Sequence, residues 1–172
     1  MTTVCFSHGQ ESGPWGTKIR ALAEVARDAG CEVESIDYRG MADPEARARK
    51  LIAWCREQPA PAILVGSSMG GYVALAAASE AGAAGLFLMA PALYVPGYEA
   101  VPLPPPPQCP VTIVHGWHDD VLSWTGSTRY GEASGARVVL VADDHRLVKD
   151  LGALCTIFRV FLDELGAVPR KE

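Results

Sequence analysis

Ala62-Ile63-Leu64-Val65-Gly66-Ser67-Ser68-Met69-Gly70-Gly71-Tyr72-Val73-Ala74-Leu75 is the stretch that decides the fold. Its first four residues are all apolar, as in a strand buried on both faces. The Ala-rich run after Met69 reads as a helix. Between them stands Gly66-Ser67-Ser68-Met69-Gly70, the pattern G-x-S-x-G. On so sharp a strand-to-helix turn the serine hydroxyl projects outward. Glycine two positions before and two after leaves room for neighbouring backbone. The start of the following helix favours negative charge developing beside Ser68. Ser67 is the rival serine, but it lacks glycine at both flanking offsets.

The alternation continues outward in both directions. Runs at 3–7, 32–36, 62–65, 85–89, 111–114 and 138–141 read as strands, four of them almost wholly apolar. Trp15, Ile19, Leu22, Ala26 and Ala29 recur at one-face helical spacing, with Gly30 as a stop. Asp43 followed by Pro44 signals a second helix, with Leu51, Ile52 and Cys55 further along it. A third helix follows Met69, a fourth starts near Ser123, and a last one spans about 146–165. Strands alternating with helices imply βαβ units and a doubly wound sheet of about six parallel strands, with helices on both faces. Ligands on such sheets sit at the carboxyl ends of the strands.

A serine hydroxyl is a weak nucleophile, so it requires a base, and the base requires an orienting acid. His145 follows the strand at 138–141, and Asp119 follows the strand at 111–114. The chain order is Ser68, Asp119, His145, each on a loop after a different parallel strand. His115 reads as a support in the Asp119 turn. His115, His118 and Asp119 are poorly spaced for a shared metal and lack a fourth ligand, so no metal site is expected.

The chain has 172 residues, 49% of them hydrophobic and 20% charged, enough for one domain with a real core. We expect that domain to span 1–172. A net charge of -5 without any Lys/Arg block argues against nucleic-acid binding. No apolar run is long enough to span a membrane, and the start lacks the basic and apolar regions of a signal peptide. Five scattered cysteines with no C-x-x-C pair fit free thiols in a reducing compartment, so a cytoplasmic location is expected. The segment 91–110 carries Pro91, Pro96, Pro102, Pro104 to Pro107 and Pro110, which exclude helix and central strand. It reads either as a stiff surface connection or as a short cover walled by Tyr94, Tyr98 and Leu103.

These residues together resemble a small member of the α/β-hydrolase superfamily. The likeness runs through His8-Gly9 after the first strand, Asp37-Tyr38-Arg39-Gly40 after the second, the elbow, His115-Gly-x-x-Asp119 and Asp144-His145. It is nearest in character to compact, lidless bacterial esterases and acyl thioesterases. The resemblance implies an oxyanion hole made by the backbone N–H groups of Gln10 and Met69. In that setting His8 shapes the oxyanion loop through hydrogen bonds, with direct substrate contact as the alternative. Relative to larger members, two leading antiparallel strands are missing, and the proline-rich 91–110 loop stands where a cap would be inserted. Leu122-Ser123 replaces the Val-Pro pair usual after the acid, which leaves Asp120 as a rival to Asp119.

The expectation is therefore a serine hydrolase acting on a small acyl ester or thioester through Ser68, His145 and Asp119, without a cofactor. Trp15, Tyr94 and Trp117 are candidate pocket walls alongside His8, although large aromatics serve equally as packing. A non-catalytic binding protein on the same fold is the alternative, as is a serine-dependent peptidase, lactonase or acyltransferase. A monomer and a homodimer are both compatible with the sequence.

Overall fold

Successive strand residues face opposite sides of a sheet, and the apolar runs of this chain divide accordingly. Val4, Phe6, Ile63, Val65, Phe87, Met89 and Val114 enter one core, whereas Cys5, Leu64, Leu86, Leu88 and Ile113 enter another. In a computed structural model, which describes residues 1–97 and 102–167, these runs form one sheet between two helical layers. Its strands are β1 (Thr3–Ser7), β2 (Glu32–Ile36), β3 (Ile63–Ser67), β4 (Gly85–Met89), β5 (Val111–Gly116) and β6 (Arg137–Val141). They lie in the order β2-β1-β3-β4-β5-β6, every neighbouring pair parallel. The six-stranded parallel sheet is the one the sequence implies.

The helices are α1 (Thr17–Asp28), α2 (Pro44–Arg56), α3 (Met69–Ala81), α4 (Trp124–Ser134) and α5 (Leu151–Glu164). Ile19, Leu22 and Ala26 of α1 meet Phe158, Phe161 and Leu162 of α5 in the first core. Leu51 of α2, the alanines of α3 and Tyr130 of α4 fill the second. Asp43 caps α2 by accepting the N–H groups of Glu45 and Ala46, each at 3.1 Å, with Pro44 in the first turn. Ser123 caps α4 through Thr125 N–H at 3.3 Å.

The last helix starts later than its apolar pattern suggests, at Leu151 rather than near 146. Leu147 has φ of 52°, and the Asp143 carboxylate takes the N–H groups of Lys149 and Asp150. Those bonds hold 146–150 as a turn, and Asp150 then caps α5 through Ala153 N–H. In the proline-rich segment, Leu93, Tyr94, Leu103 and Cys109 pack on the second core. Tyr98 lies outside the described residues. Among those described, no cap domain is inserted after β4, and no helix is long and apolar enough to cross a membrane.

Candidate active site

The elbow between β3 and α3 is held from several directions. Ser68 adopts φ 55°, ψ -121°, a conformation disfavoured for a residue with a side chain. Its N–H donates to Met89 O at 3.0 Å, and its carbonyl accepts Gly71 N–H at 2.9 Å and Ala92 N–H at 3.0 Å. Backbone thus crowds in from β4 and α3. A Cβ on Gly70 would sit 2.6 Å from His8 O and closer still to Ser7 O, so glycine alone lets α3 start against the end of β1.

The loops after β5 and β6 are stitched together. Trp117 N–H donates to Val141 O at 2.8 Å, and His118 N–H to Asp143 O at 3.0 Å. This brings Asp119 to His145. His145 Nδ1 lies 2.7 Å from Asp119 Oδ2, and His145 Nε2 lies 3.1 Å from Ser68 Oγ. A carboxylate accepts only, so His145 carries its proton on Nδ1 and presents Nε2 as the acceptor of the Ser68 hydroxyl.

Asp119 has a buried side chain. Its Oδ1 accepts Val121 N–H at 2.9 Å and Leu122 N–H at 2.8 Å. Its Oδ2 is shared by His145 and by His115 Nε2 at 2.8 Å. Burial opposes ionisation, but the donors from Leu122, His145 and Val121 outweigh it and hold the carboxyl below its ordinary value. Asp120, the rival acid, is exposed.

His115 is also buried. Its Nε2–H reaches both Asp119 Oδ2 and Leu122 O, so its Nδ1 accepts the Ser127 hydroxyl at 2.7 Å. Burial lowers its pKa, which keeps it neutral.

On the opposite side of Ser68, His8 is 0% exposed. Its Nε2 accepts Tyr38 N–H at 2.9 Å, and its Nδ1–H donates to Gly9 O at 2.7 Å. Both ring nitrogens are thus occupied by the backbone of Gly9 and Tyr38. Gly9 packs against the elbow, where an added Cβ would lie 3.5 Å from Ser68 Cβ. Gln10 follows it at the surface, and Met69 opens α3.

The remaining candidate walls each have a packing partner. Trp15 packs on the first core, with Arg27 5.9 Å above its ring. Tyr94 packs on the second core beneath Arg129, at 4.0 Å. Trp117 is 48% exposed and meets Trp124 edge-on at 4.9 Å. Among the described residues, no hydrogen bond or ring contact joins these three to Ser68, Asp119 or His145.

Four contributors escape a reading of the sequence. Ser127 and Leu122 serve His115, and Arg47 donates to the His8-Gly9 loop. Lys18, at the start of α1, is drawn down to about 8 by burial, against the pull of Asp119 and Asp143. Chain spacing carries no signal for Ser127, Arg47 or Lys18, because the fold brings each of them near the site.

The model of the alpha/beta hydrolase family matches residues 5–170, nearly the whole chain. The chain belongs to the alpha/beta hydrolase family. A protein of that superfamily from Xanthomonas campestris pv. campestris is 30% identical, with a TM-score of 0.87 over 95% of this chain and 99% of that one. Two more distant structures share the fold. An α/β serine hydrolase without lid, also from Xanthomonas campestris, is 19% identical, with a TM-score of 0.75 over 99% and 84% of the two chains. Est1E from Butyrivibrio proteoclasticus is 16% identical, with a TM-score of 0.81 over 96% and 88%. No curated protein matches this hydrolase.

Proposed function

We propose that this hydrolase cleaves carboxylic esters or thioesters of small acyl groups through an acyl-enzyme on Ser68. The observation that carries the reading is the unbroken chain Ser68 Oγ···His145 Nε2 (3.1 Å), His145 Nδ1···Asp119 Oδ2 (2.7 Å) on a strained elbow. Ser68 Oγ attacks the acyl carbon while His145 Nε2 takes its proton. Asp119 holds the imidazole tautomer and stabilises the imidazolium. The oxygen that gains negative charge meets the N–H groups of Met69 and Gln10. Neither N–H has a protein acceptor among the described residues, and each donor is worth about 10²–10³ in rate. Collapse expels the alcohol or thiol, which leaves with the proton from His145. Water, deprotonated by the same nitrogen, then releases the acid and restores Ser68.

The absence of a cap among the described residues supports short or open-ended acyl groups. The five free cysteines, two of them buried, support a reducing, cytoplasmic setting. A fluorophosphonate probe tests the assignment. Peptide mass analysis is expected to find the adduct on Ser68 of the wild type and none on Ser68→Ala. A folded wild type that resists labelling and leaves p-nitrophenyl acetate intact would overturn it.

A further inference from the structure

Arg47, on α2, is only 2% exposed, and among the described residues no carboxylate pairs with it. Uncompensated burial of a charge is costly, so what surrounds this guanidinium matters. Its Nε–H donates to Met41 O at 2.7 Å. Its Nη1 reaches Gly9 O at 3.2 Å and His8 O at 3.4 Å. Its Cζ lies 5.3 Å from the centroid of the Tyr38 ring. Three carbonyls and an aromatic face thus replace water around a full positive charge, directly behind the loop that packs on Ser68.

The Gly9 carbonyl is the informative partner, because it belongs to the same planar unit as the Gln10 N–H. The chain has no cis peptide among its described residues, so the C=O and N–H of that unit point in opposite directions. Two donors grip the carbonyl end, Arg47 Nη1 and His8 Nδ1. The other end is left free, directed away from the guanidinium. A cation on the carbonyl side also polarises the unit and makes its N–H a stronger donor. Preorganised dipoles of this kind stabilise charge that appears during reaction.

We propose that Arg47 is a positioning residue for the oxyanion site, fixing and polarising the Gly9–Gln10 peptide so that Gln10 N–H meets the developing negative charge. This rests on the reading of Ser68 as nucleophile given above. Arg47 touches no reacting atom; it acts through the peptide unit.

The test compares wild type, Arg47→Met and Arg47→Lys in p-nitrophenyl acetate hydrolysis and in inhibition by phenylboronic acid, whose adduct on serine is tetrahedral and anionic. For Arg47→Met, kcat is expected to fall about 10- to 100-fold while KM stays within threefold. Boronate inhibition is expected to weaken by a similar factor. Arg47→Lys, which keeps the charge, is expected to recover part of both. A mere brace would lower the melting temperature without this split between kcat and KM. If wild type is active and folded Arg47→Met keeps kcat and boronate affinity within twofold, the proposal falls and the serine assignment stands. If wild type neither turns over nor labels at Ser68, the serine assignment is what fails. Should neither variant fold, NMR of the wild type decides. Boronate binding is expected to shift both the Gln10 amide and the Arg47 Nη resonances, and an unmoved Arg47 would overturn the proposal.

Discussion

Replacing Asp119 by Asn changes almost no volume but breaks the donor arithmetic around it. The carboxylate accepts four donors, two main-chain N–H groups on Oδ1 and two imidazoles on Oδ2. An amide offers one oxygen and one NH2. If the oxygen keeps the imidazoles, the NH2 abuts the N–H groups of Val121 and Leu122, which cannot change roles. Each buried donor left unpaired costs about 1–3 kcal/mol. The amide therefore settles with its oxygen on the main chain and its NH2 towards the histidines. His115 can adapt, because the Ser127 hydroxyl can become the acceptor for a proton on its Nδ1. His145 adapts only by moving its proton to Nε2, the nitrogen that receives the Ser68 proton in the proposed mechanism. The expected loss in kcat is about 10³–10⁴-fold, equivalent to roughly 4–5.5 kcal/mol of barrier. Stability should drop by about 1–2 kcal/mol, from the lost Leu122 contact and the neutralised acceptor. Steady-state hydrolysis of p-nitrophenyl acetate, with urea denaturation in parallel, reads both. Asp120→Asn is the control and should stay within about twofold, since its side chain is exposed. A folded Asp119→Asn protein with kcat within tenfold of wild type would refute the tautomer argument.

Two further predictions concern stability. Gly70→Ala drives a methyl into the Ser7 and His8 carbonyls, which are backbone and cannot swing aside, so a loss towards the upper end of about 1–3 kcal/mol is expected. Gly13→Ala meets nothing within 4 Å and should change stability by less than about 0.5 kcal/mol; equal melting temperatures for the two variants would contradict the packing argument. Burial lowers the pKa values of His8 and His115 below their ordinary 6.5, so in that window the unfolded chain binds protons that the native protein does not. Stability should be complete above pH 6.5 and fall as pH drops, at up to about 1.4 kcal/mol per pH unit for each histidine. The depressed Asp119 carboxyl adds a second loss as pH falls below its ordinary 3.8. Urea midpoints that stay flat between pH 7.5 and 5 would contradict the histidine assignments.

The strands were legible because a parallel sheet covered on both faces needs short, unbroken apolar runs, which turn residues delimit cleanly. The elbow was legible because backbone crowding restricts Gly66 and Gly70 to glycine. Asp119 and His145 could be read from order and position, since each follows a strand at the same end of the sheet. The start of α5 could not, because apolar spacing does not register that Asp143 claims the N–H groups of Lys149 and Asp150. The packing of the candidate walls was hidden for a related reason. Composition marks Trp15 and Tyr94 as large and aromatic, but only packing decides whether a ring joins a core or a cleft. Arg47 was invisible altogether, one basic residue among several on an amphipathic helix, distinguished only by the carbonyls it meets.

The strand order divides the site unequally. Ser68 leaves β3, which is flanked by β1 and β4, whereas His145 hangs from β6, a half-exposed edge strand paired with β5 alone. Edges open at far lower free energy than centres. Mild heating is therefore expected to part His145 from Ser68 while the interior still holds, which hydrolysis followed alongside circular dichroism on a temperature ramp would check. On that expectation the outermost strand, rather than the melting of the whole, would set the upper working temperature, and reinforcing the contacts between β5 and β6 would raise it.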